Sequence, residues 1–132
     1  MNCIEVVVLF CLIGATVANV VPSQNKTACQ EHRQRELKLT VGAKLVPKCD
    51  ENGDYVPLVC FDGENGSKFC TCFTNKGEIA KPPTENVKRC ECYLAQHEAR
   101  NPSRFGAFEP KCEDDGSYKK LQCHGSTGAC WC

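Results

Sequence analysis

The chain has 132 residues, among them 16 Lys and Arg, 16 Asp and Glu, and 13 Cys. This balanced charge argues against nucleic acid or anionic lipid as a partner, because both select an excess of basic residues. The high cysteine content is typical of an exported protein that folds in an oxidising compartment.

The chain begins with an almost wholly apolar stretch, residues 4–17, which leads to the small residue Ala18. The stretch is shorter than the ~20 apolar residues that span a membrane, so we predict a signal peptide over residues 1–18. Residues 19–28 then form an N-terminal segment. We expect a secreted, extracellular protein without a membrane span.

A short helix is predicted next. Thr27 and Gln30 have the spacing of a capping box, in which each side chain accepts a hydrogen bond from the backbone amide of the other residue. We predict a helix from there to about Leu37. Further along, Asn52-Gly53 favours a type I′ hairpin turn, because both residues tolerate positive φ.

The same elements are predicted again in the second half of the chain. A helix covers residues 92–100 and ends before Pro102, and Asp115-Gly116 repeats the hairpin turn. Each turn should join a strand that ends at a cysteine to one that begins at a tyrosine, with a further short strand around each Cys-x-Cys. The fold class is a small disulfide-rich α+β fold, in which each module has a short N-terminal helix, a small antiparallel sheet and disulfide-anchored loops.

The cysteines recur with an offset of 63 positions, which predicts a duplicated module. Nineteen residues separate the first and second cysteines of each copy, and ten separate the second and third. We predict module one over residues 29–90 and module two over residues 92–132. A linker of one residue, Glu91, should make the pair semi-rigid. The matching residues are Pro47, Lys48, Cys49, Gly53, Tyr55, Leu58 and Cys60, which recur as Pro110, Lys111, Cys112, Gly116, Tyr118, Leu121 and Cys123.

Module one contains six cysteines, whereas module two contains five, the last of which is Cys132. We predict that module two is C-terminally truncated and that the partner of Cys132 belongs to the missing part. Six cysteines allow fifteen pairings, and spacing alone does not choose among them. The two cysteines of each Cys-x-Cys share one face of a strand but are not expected to bond each other, so each should bridge in a different direction.

Each module has few large apolar side chains, which is marginal for a core held by burial alone. Disulfides should therefore contribute much of the stability, at roughly 3 kcal/mol for each loop in the chain-entropy model. We expect the rings of Tyr55, Tyr118 and Trp131 to pack into the small cores.

The sequence carries no motif for catalysis or metal binding. His32, His97 and His124 are too scattered for a catalytic triad or a zinc site, and the Cys-x-Cys pairs of an exported chain are expected to form disulfides. The acidic runs at 50–51 and 113–115 lack the spacing of a calcium loop, so we predict solvated turns there. We therefore predict a binding protein that is not an enzyme and that has no cofactor and no metal.

Two glycosylation sequons begin at Asn25 and Asn65, whereas the proline after Asn101 blocks a third. We predict exposed loops at Asn25 and Asn65, with both as glycosylation sites.

The two modules resemble thyroglobulin type-1 domains, and their tandem arrangement is similar to that of thyropin-like proteins of spider venom. The residues that carry the resemblance are Pro47-Lys48-Cys49, Gly53-Asp54-Tyr55 and Cys70-Thr71-Cys72 in module one, and Pro110-Lys111-Cys112, Gly116-Ser117-Tyr118, Gln122-Cys123 and Cys130-Trp131-Cys132 in module two. The resemblance implies that cysteines pair in sequence order, as Cys29–Cys49, Cys60–Cys70, Cys72–Cys90, Cys92–Cys112 and Cys123–Cys130.

The resemblance also implies an activity. Inhibitory members of the family, the thyropins, block papain-like cysteine proteases by pushing loops from one wedge-shaped edge into the active-site cleft. The first loop would cover residues 40–45 or 103–108, the second residues 61–69 or 124–129, and a third, residues 76–84, exists only in module one. The inhibitory residues predicted from these loops are Gly42, Ala43, Lys44 and Leu45 in module one, and Gly106, Ala107, Phe108, Gly125, Ser126 and Thr127 in module two.

Module one departs from the family pattern at three points. Thr71 stands where the family usually has Trp, Val59 replaces a common Gln, and the longer second loop carries the Asn65 sequon. Module two is therefore the better candidate inhibitor. We expect a monomer whose partner is a papain-like cysteine protease of the cathepsin type, with a non-inhibitory extracellular binding module, or a venom toxin with another target, as the alternatives.

Overall fold

The computed structural model describes residues 25–42, 44–104 and 106–132. The predicted signal peptide, the beginning of the predicted N-terminal segment and Ala43 lie outside the described residues. Among these residues the helices are α1 (Ala28–Lys38) and α2 (Glu91–Ala99), with one 3-10 turn at Pro102–Arg104. The strands are β1 (Leu58–Asp62), β2 (Lys68–Phe73), β3 (Ile79–Thr84), β4 (Gln122–Cys123) and β5 (Cys130–Trp131). These elements confirm a disulfide-rich α+β fold.

Helix α1 begins at the predicted capping box. The Thr27 hydroxyl accepts from the Gln30 amide at 3.3 Å, and the Gln30 side chain accepts from the Thr27 amide at 3.1 Å. Thr27 also donates a 2.6 Å hydrogen bond to the carbonyl of Gly53, so the cap is tied to the following turn. Within α1 only Cys29 is buried. The helix is therefore a polar element held to the body chiefly through that cysteine.

The larger sheet has the antiparallel order β1-β2-β3. Strands β1 and β2 form a hairpin in which Val59 pairs with Thr71 and Cys60 with Cys70. The predicted second loop of module one, residues 61–69, is shorter than expected, because pairing continues beyond Cys60 and leaves only residues 63–67 as the connection.

Strand β3 corrects the prediction of a third loop over residues 76–84. Ile79–Thr84 pairs with β2, and only a tight turn before it, in which the Gly77 amide donates to Thr74 O at 3.0 Å, is a loop. Pro82 and Pro83 lie within this strand. They are tolerated because β3 lies at the edge of the sheet, where no outer strand needs their missing amides.

The type I′ turn prediction is wrong. Gly53 has φ +86°, but no residue other than glycine has positive φ among the described residues, so Asn52 does not adopt the conformation that a type I′ turn requires. The Gly53 amide donates to the carbonyl of Asp50, and the Asp50 amide donates to the carbonyl of Asp54. This pattern is that of a longer hairpin loop closed by a glycine bulge. The same pattern recurs around Gly116, which has φ +93°.

Module two pairs β4 with β5, so that Cys123 faces Cys130. The buried side chain of Gln122 accepts from the Lys111 amide at 2.8 Å and donates to the carbonyls of Lys111 and Lys119 at 2.9 and 2.7 Å. At the matching position, module one has the fully buried Val59. One copy therefore uses apolar packing where the other uses a hydrogen-bonded amide.

The two modules share a core. Tyr93 of α2 belongs to one buried cluster with Cys70, Cys72, Val87 and Cys90 of module one. The Lys81 ammonium lies 4.7 Å from the centre of the Tyr93 ring, a cation–π contact. Glu91, predicted as a linker, is the first residue of α2. The junction is thus a packed contact.

Two of the three aromatic core predictions are wrong. Tyr55 is half-buried and stacks on Phe73 at 6.5 Å between ring centres. Tyr118 and Trp131, in contrast, are 49% and 45% exposed. Among the described residues of module two, no aromatic ring stacks on Tyr118 as Phe73 stacks on Tyr55.

Candidate functional site

Five disulfides form the frame of the candidate site. They join Cys29–Cys49, Cys60–Cys70, Cys72–Cys90, Cys92–Cys112 and Cys123–Cys130, which is the sequential order that the family resemblance implies. Cys70 bridges across the hairpin and Cys72 toward the end of module one, in different directions from one strand. Cys132 is a free, exposed thiol.

The first loop of module two begins within the 3-10 turn. The Asn101 side chain accepts hydrogen bonds from the Ser103 amide at 3.1 Å and the Ser103 hydroxyl at 2.9 Å, which holds the start of the loop. The Ala107 amide then donates to the carbonyl of Arg104 at 2.9 Å. Gly106 takes φ +81°, and both it and Ala107 are exposed. At Gly106 and Ala107 the loop therefore exposes small residues beside a hydrogen-bonded turn.

Surface ion pairs flank this loop. Arg104 contacts Glu98 of α2 at 2.6 Å, and Arg100 contacts Glu109 at 2.6 Å. Each of these side chains is largely exposed, so each pair adds little to stability. One pair nonetheless connects α2 to the start of the loop, and the other connects Arg100, the C-cap of α2, to the residue that follows the loop.

The second loop of module two, residues 124–129, is closed at its base by the Cys123–Cys130 disulfide. Inside it, the His124 amide donates to the carbonyl of Ala129 at 2.7 Å, and the Gly128 amide donates to the carbonyl of His124 at 2.8 Å. The Ser126 hydroxyl lies 2.9 Å from His124 Nδ1. These contacts order the loop and leave Gly125, Ser126 and Thr127 exposed at its tip.

Three aromatic side chains join the two loops. The ring of Phe108, at the end of the first loop, lies 6.0 Å from the ring of His124 and 4.8 Å from that of Trp131, measured between ring centres. We call Phe108, His124 and Trp131 the aromatic clamp. Near the clamp, Gly106, Ala107, Gly125 and Ser126 line one shallow depression, so parts of the two predicted loops lie side by side.

Module one has Leu45, Phe61 and Thr71 at the positions of the clamp. Thr71 is fully buried and donates a 2.6 Å hydrogen bond to the carbonyl of Lys81 in β3. Leu45 lines a shallow depression with Ile79 and other residues of α1 and the sheet. Gly42 and Lys44 are exposed, and Gly42 has φ +92°. Between the predicted loops of module one, the described residues therefore contain no counterpart of the clamp.

The carboxyl of Asp115 is the group with a shifted pKa at the junction between the modules. Hydrogen bonds from the Ser117 hydroxyl at 2.6 Å and the Ser117 amide at 2.8 Å lower the pKa of Asp115 below its ordinary value of 3.8. The cationic side chains of Arg89 and Lys88 lower it further, with Arg89 Nε 3.9 Å from the carboxylate. The junction therefore favours the ionised form of Asp115.

Neither a metal centre nor a membrane-crossing helix was found in the part of the chain that the structure describes. No group of three His, Cys, Asp or Glu side chains there could hold a metal ion. The helices of that part are too short or too polar to cross a bilayer.

Sequence reasoning missed His124 and Trp131 as parts of the site. Trp131 was expected in a core, and His124 only marked the start of a loop. The signal that could have found them is their position beside Cys123 and Cys130, because residues next to a loop-closing disulfide must lie at the base of that loop.

These features define a class of protein, a small tandem of disulfide-framed α+β modules that present short loops at an edge. A family model described as the thyroglobulin type-1 repeat matches residues 24–92 and again residues 88–132. The chain belongs to the thyroglobulin type-1 family, with two tandem copies of the repeat.

Individual relatives are similar over much of the chain. U20-hexatoxin-Hi1a of Hadronyche infensa is 46% identical over 127 residues, which are 93% of this chain and 85% of that protein. U24-ctenitoxin-Pn1a of Phoneutria nigriventer is 42% identical over 107 residues, 81% of each chain. Equistatin of Actinia equina is 37% identical over 93 residues, which are 65% of this chain and 39% of equistatin.

Proposed function

We propose that the chain is a secreted, monomeric and non-catalytic inhibitor of papain-like cysteine proteases of the cathepsin type, and that module two inserts its two loops into the active-site cleft. The observation that carries the proposal is the aromatic clamp, which holds the first and second loops of module two side by side. The inhibitory activity of other thyroglobulin type-1 proteins supports the choice of target.

The clamp favours tight binding because it lowers the entropy lost on association. A flexible loop loses conformational entropy when it is ordered against a partner, at about 1–2 kcal/mol for each residue. In module two the Cys123–Cys130 disulfide and the hydrogen bonds of His124 order the second loop, and the stacking of Phe108 on His124 fixes the end of the first loop. A modest contact area can then give useful affinity.

The tips of the loops have a shape that suits a narrow cleft. Gly106, Ala107, Gly125 and Ser126 are small and exposed, so that the backbone itself can approach the floor of a cleft. The one charged residue of the first loop, Arg104, lies near its start and is paired with Glu98 of α2.

Titration of papain or cathepsin L with the secreted full-length chain tests the proposal. We expect reversible inhibition of peptide hydrolysis that is competitive with substrate. Absence of inhibition at micromolar concentrations of the folded protein would refute the assignment.

Gly125→Trp tests the role of the second loop. A Cβ at residue 125 would have no heavy atom within 4 Å, so the change should leave stability unaltered while widening the tip. We expect inhibition to weaken by ~10-fold or more, which corresponds to about 1.4 kcal/mol of lost binding energy. Gln34→Trp, on the exposed face of α1, is the matched control and should inhibit as the unmodified chain does. Equal weakening by both variants would contradict insertion of this loop.

The names of two relatives favour a second candidate function. U20-hexatoxin-Hi1a and U24-ctenitoxin-Pn1a are named as toxins, and the chain is 46% and 42% identical to them. A toxin with a target other than a protease would retain its effect on prey in the Gly125→Trp variant. Neither the unmodified chain nor its variants would then inhibit a protease. A bioassay run beside the enzyme titration separates the two functions.

A further inference from the structure

The connection between β1 and β2 in module one ends in a short exposed turn. The Gly63 amide donates to the carbonyl of Ser67 at 2.7 Å, and the Gly66 amide donates to the carbonyl of Gly63 at 3.1 Å. Glu64, Asn65 and Gly66 are exposed at the tip. Residue 66 has no neighbouring heavy atom within 4 Å of a built Cβ, so the space around the tip is open.

Asn65, Gly66 and Ser67 form a glycosylation sequon at this tip. Module one lacks the aromatic clamp, but the Cys60–Cys70 disulfide and the two hydrogen bonds of the turn order its second loop, so that loop can still approach a cleft. We propose that Asn65 carries an N-linked glycan, and that the glycan closes this loop to a protease. The chain would then inhibit with module two alone, as a one-to-one inhibitor. This inference rests on the proposed function.

The modification is a transfer of an oligosaccharide from a lipid pyrophosphate donor in the secretory pathway. The side-chain nitrogen of Asn65 forms a bond to the anomeric carbon of the first sugar. The bond between that carbon and the phosphate oxygen breaks, the lipid pyrophosphate leaves, and the amide nitrogen loses one proton. Asn65 keeps an N–H and an uncharged side chain, so the turn and its two backbone hydrogen bonds can persist.

The position of the sugar decides its effect. A branched, hydrated glycan is much wider than the turn of residues 63–67, and it would be attached at the part of the second loop that has to enter a cleft first. Module two has no sequon in the matching loop, residues 124–129. The other sequon, at Asn25, precedes α1 and lies outside every predicted loop, so a glycan there should leave both edges open.

Mass spectrometry and a binding titration test the inference together. The full chain, secreted from insect cells, is digested to measure glycan occupancy at Asn65, and the intact protein is titrated with a papain-like protease to count the protease molecules bound by each chain. Asn65→Gln and Ser67→Ala remove the sequon in two different ways, and Asn25→Gln is the matched control.

We expect glycan on Asn65 and one protease on the unmodified sequence and on Asn25→Gln. Both Asn65→Gln and Ser67→Ala should bind a second protease, more weakly than the first because module one has no aromatic clamp. An unoccupied Asn65 in the secreted protein overturns the inference. A count of one protease for all four proteins also overturns it, while leaving the proposed function intact. If no form binds protease, whatever its glycan occupancy, the proposed function fails and this inference fails with it.

Discussion

Gly116→Ala is expected to destabilise the chain far more than Gly42→Ala. The two glycines have nearly the same φ, +93° and +92°, so an added Cβ causes a similar backbone strain of about 1–2 kcal/mol at either position. At Gly42 the Cβ would meet no heavy atom within 4 Å, whereas at Gly116 it would overlap the carbonyl oxygen of Arg89. Only the second substitution therefore forces module one away from module two.

The separation would break the backbone contacts of the junction. Lys88 and Arg89 donate to the carbonyl of Asp115 at 2.9 and 3.1 Å, and Cys92 donates to that of Gly116 at 3.4 Å. A net stabilisation of about 0.5–1.5 kcal/mol for each bond gives an additional loss of about 1.5–4.5 kcal/mol for the three. Gly116→Ala should therefore cost this amount beyond the strain that it shares with Gly42→Ala.

Equilibrium urea unfolding with the disulfides intact measures both variants against the unmodified chain. Hydrogen exchange at the amides of Lys88 and Arg89 reports the junction directly, and it should accelerate in Gly116→Ala only. Equal unfolding free energies for the two variants, with unchanged protection of these amides, would refute the view that the junction contributes to stability.

Three further outcomes are expected. Hydrogen bonds from Ser117 lower the pKa of Asp115, so the ionised carboxylate stabilises the fold above its ordinary pKa. This contribution is lost as the pH falls through the lower native pKa. In acid unfolding curves, Asp115→Asn should therefore flatten the decline of stability below about pH 4. Thr27→Ala removes the cap of α1 and should lower the unfolding free energy by about 1–2 kcal/mol in urea, and a change within experimental error would contradict the capping role. Thr71→Val keeps the shape of a fully buried side chain but leaves the carbonyl of Lys81 without its donor, and should cost about 1–3 kcal/mol by the same measurement, whereas a neutral result would indicate that β3 is held by other contacts.

Features that depend on residues close together in the sequence could be predicted. The capping box of Thr27 and Gln30 formed as expected, and α1 ends at Lys38, one residue beyond the predicted end. The second helix, predicted over residues 92–100, covers Glu91–Ala99. Such features follow from side chains that act on backbone groups within a few positions.

Features that depend on the rest of the fold could not. Pro82 and Pro83 argue locally against a strand, and only the edge position of β3 makes them acceptable. Asn52-Gly53 is a good type I′ sequence, but a different turn forms. In that turn the Gly53 carbonyl accepts a hydrogen bond from the distant Thr27 hydroxyl, which the local sequence does not show. The aromatic clamp likewise depends on Phe108 meeting Trp131, 23 positions away in the sequence.

The most informative difference between the copies is which residues pack against the glycine turn that both copies share. In module one the Thr27 side chain packs against Gly53, and in module two the backbone of Arg89 packs against Gly116. Residues 88–89 thus hold the turn of module two, as the segment before α1 holds the turn of module one. The two matches of the family model overlap over residues 88–92, the same segment. The end of the first copy is therefore also the beginning of the second, and a version of module two that starts at Cys92 would lack the two backbone bonds to Asp115 that hold its turn.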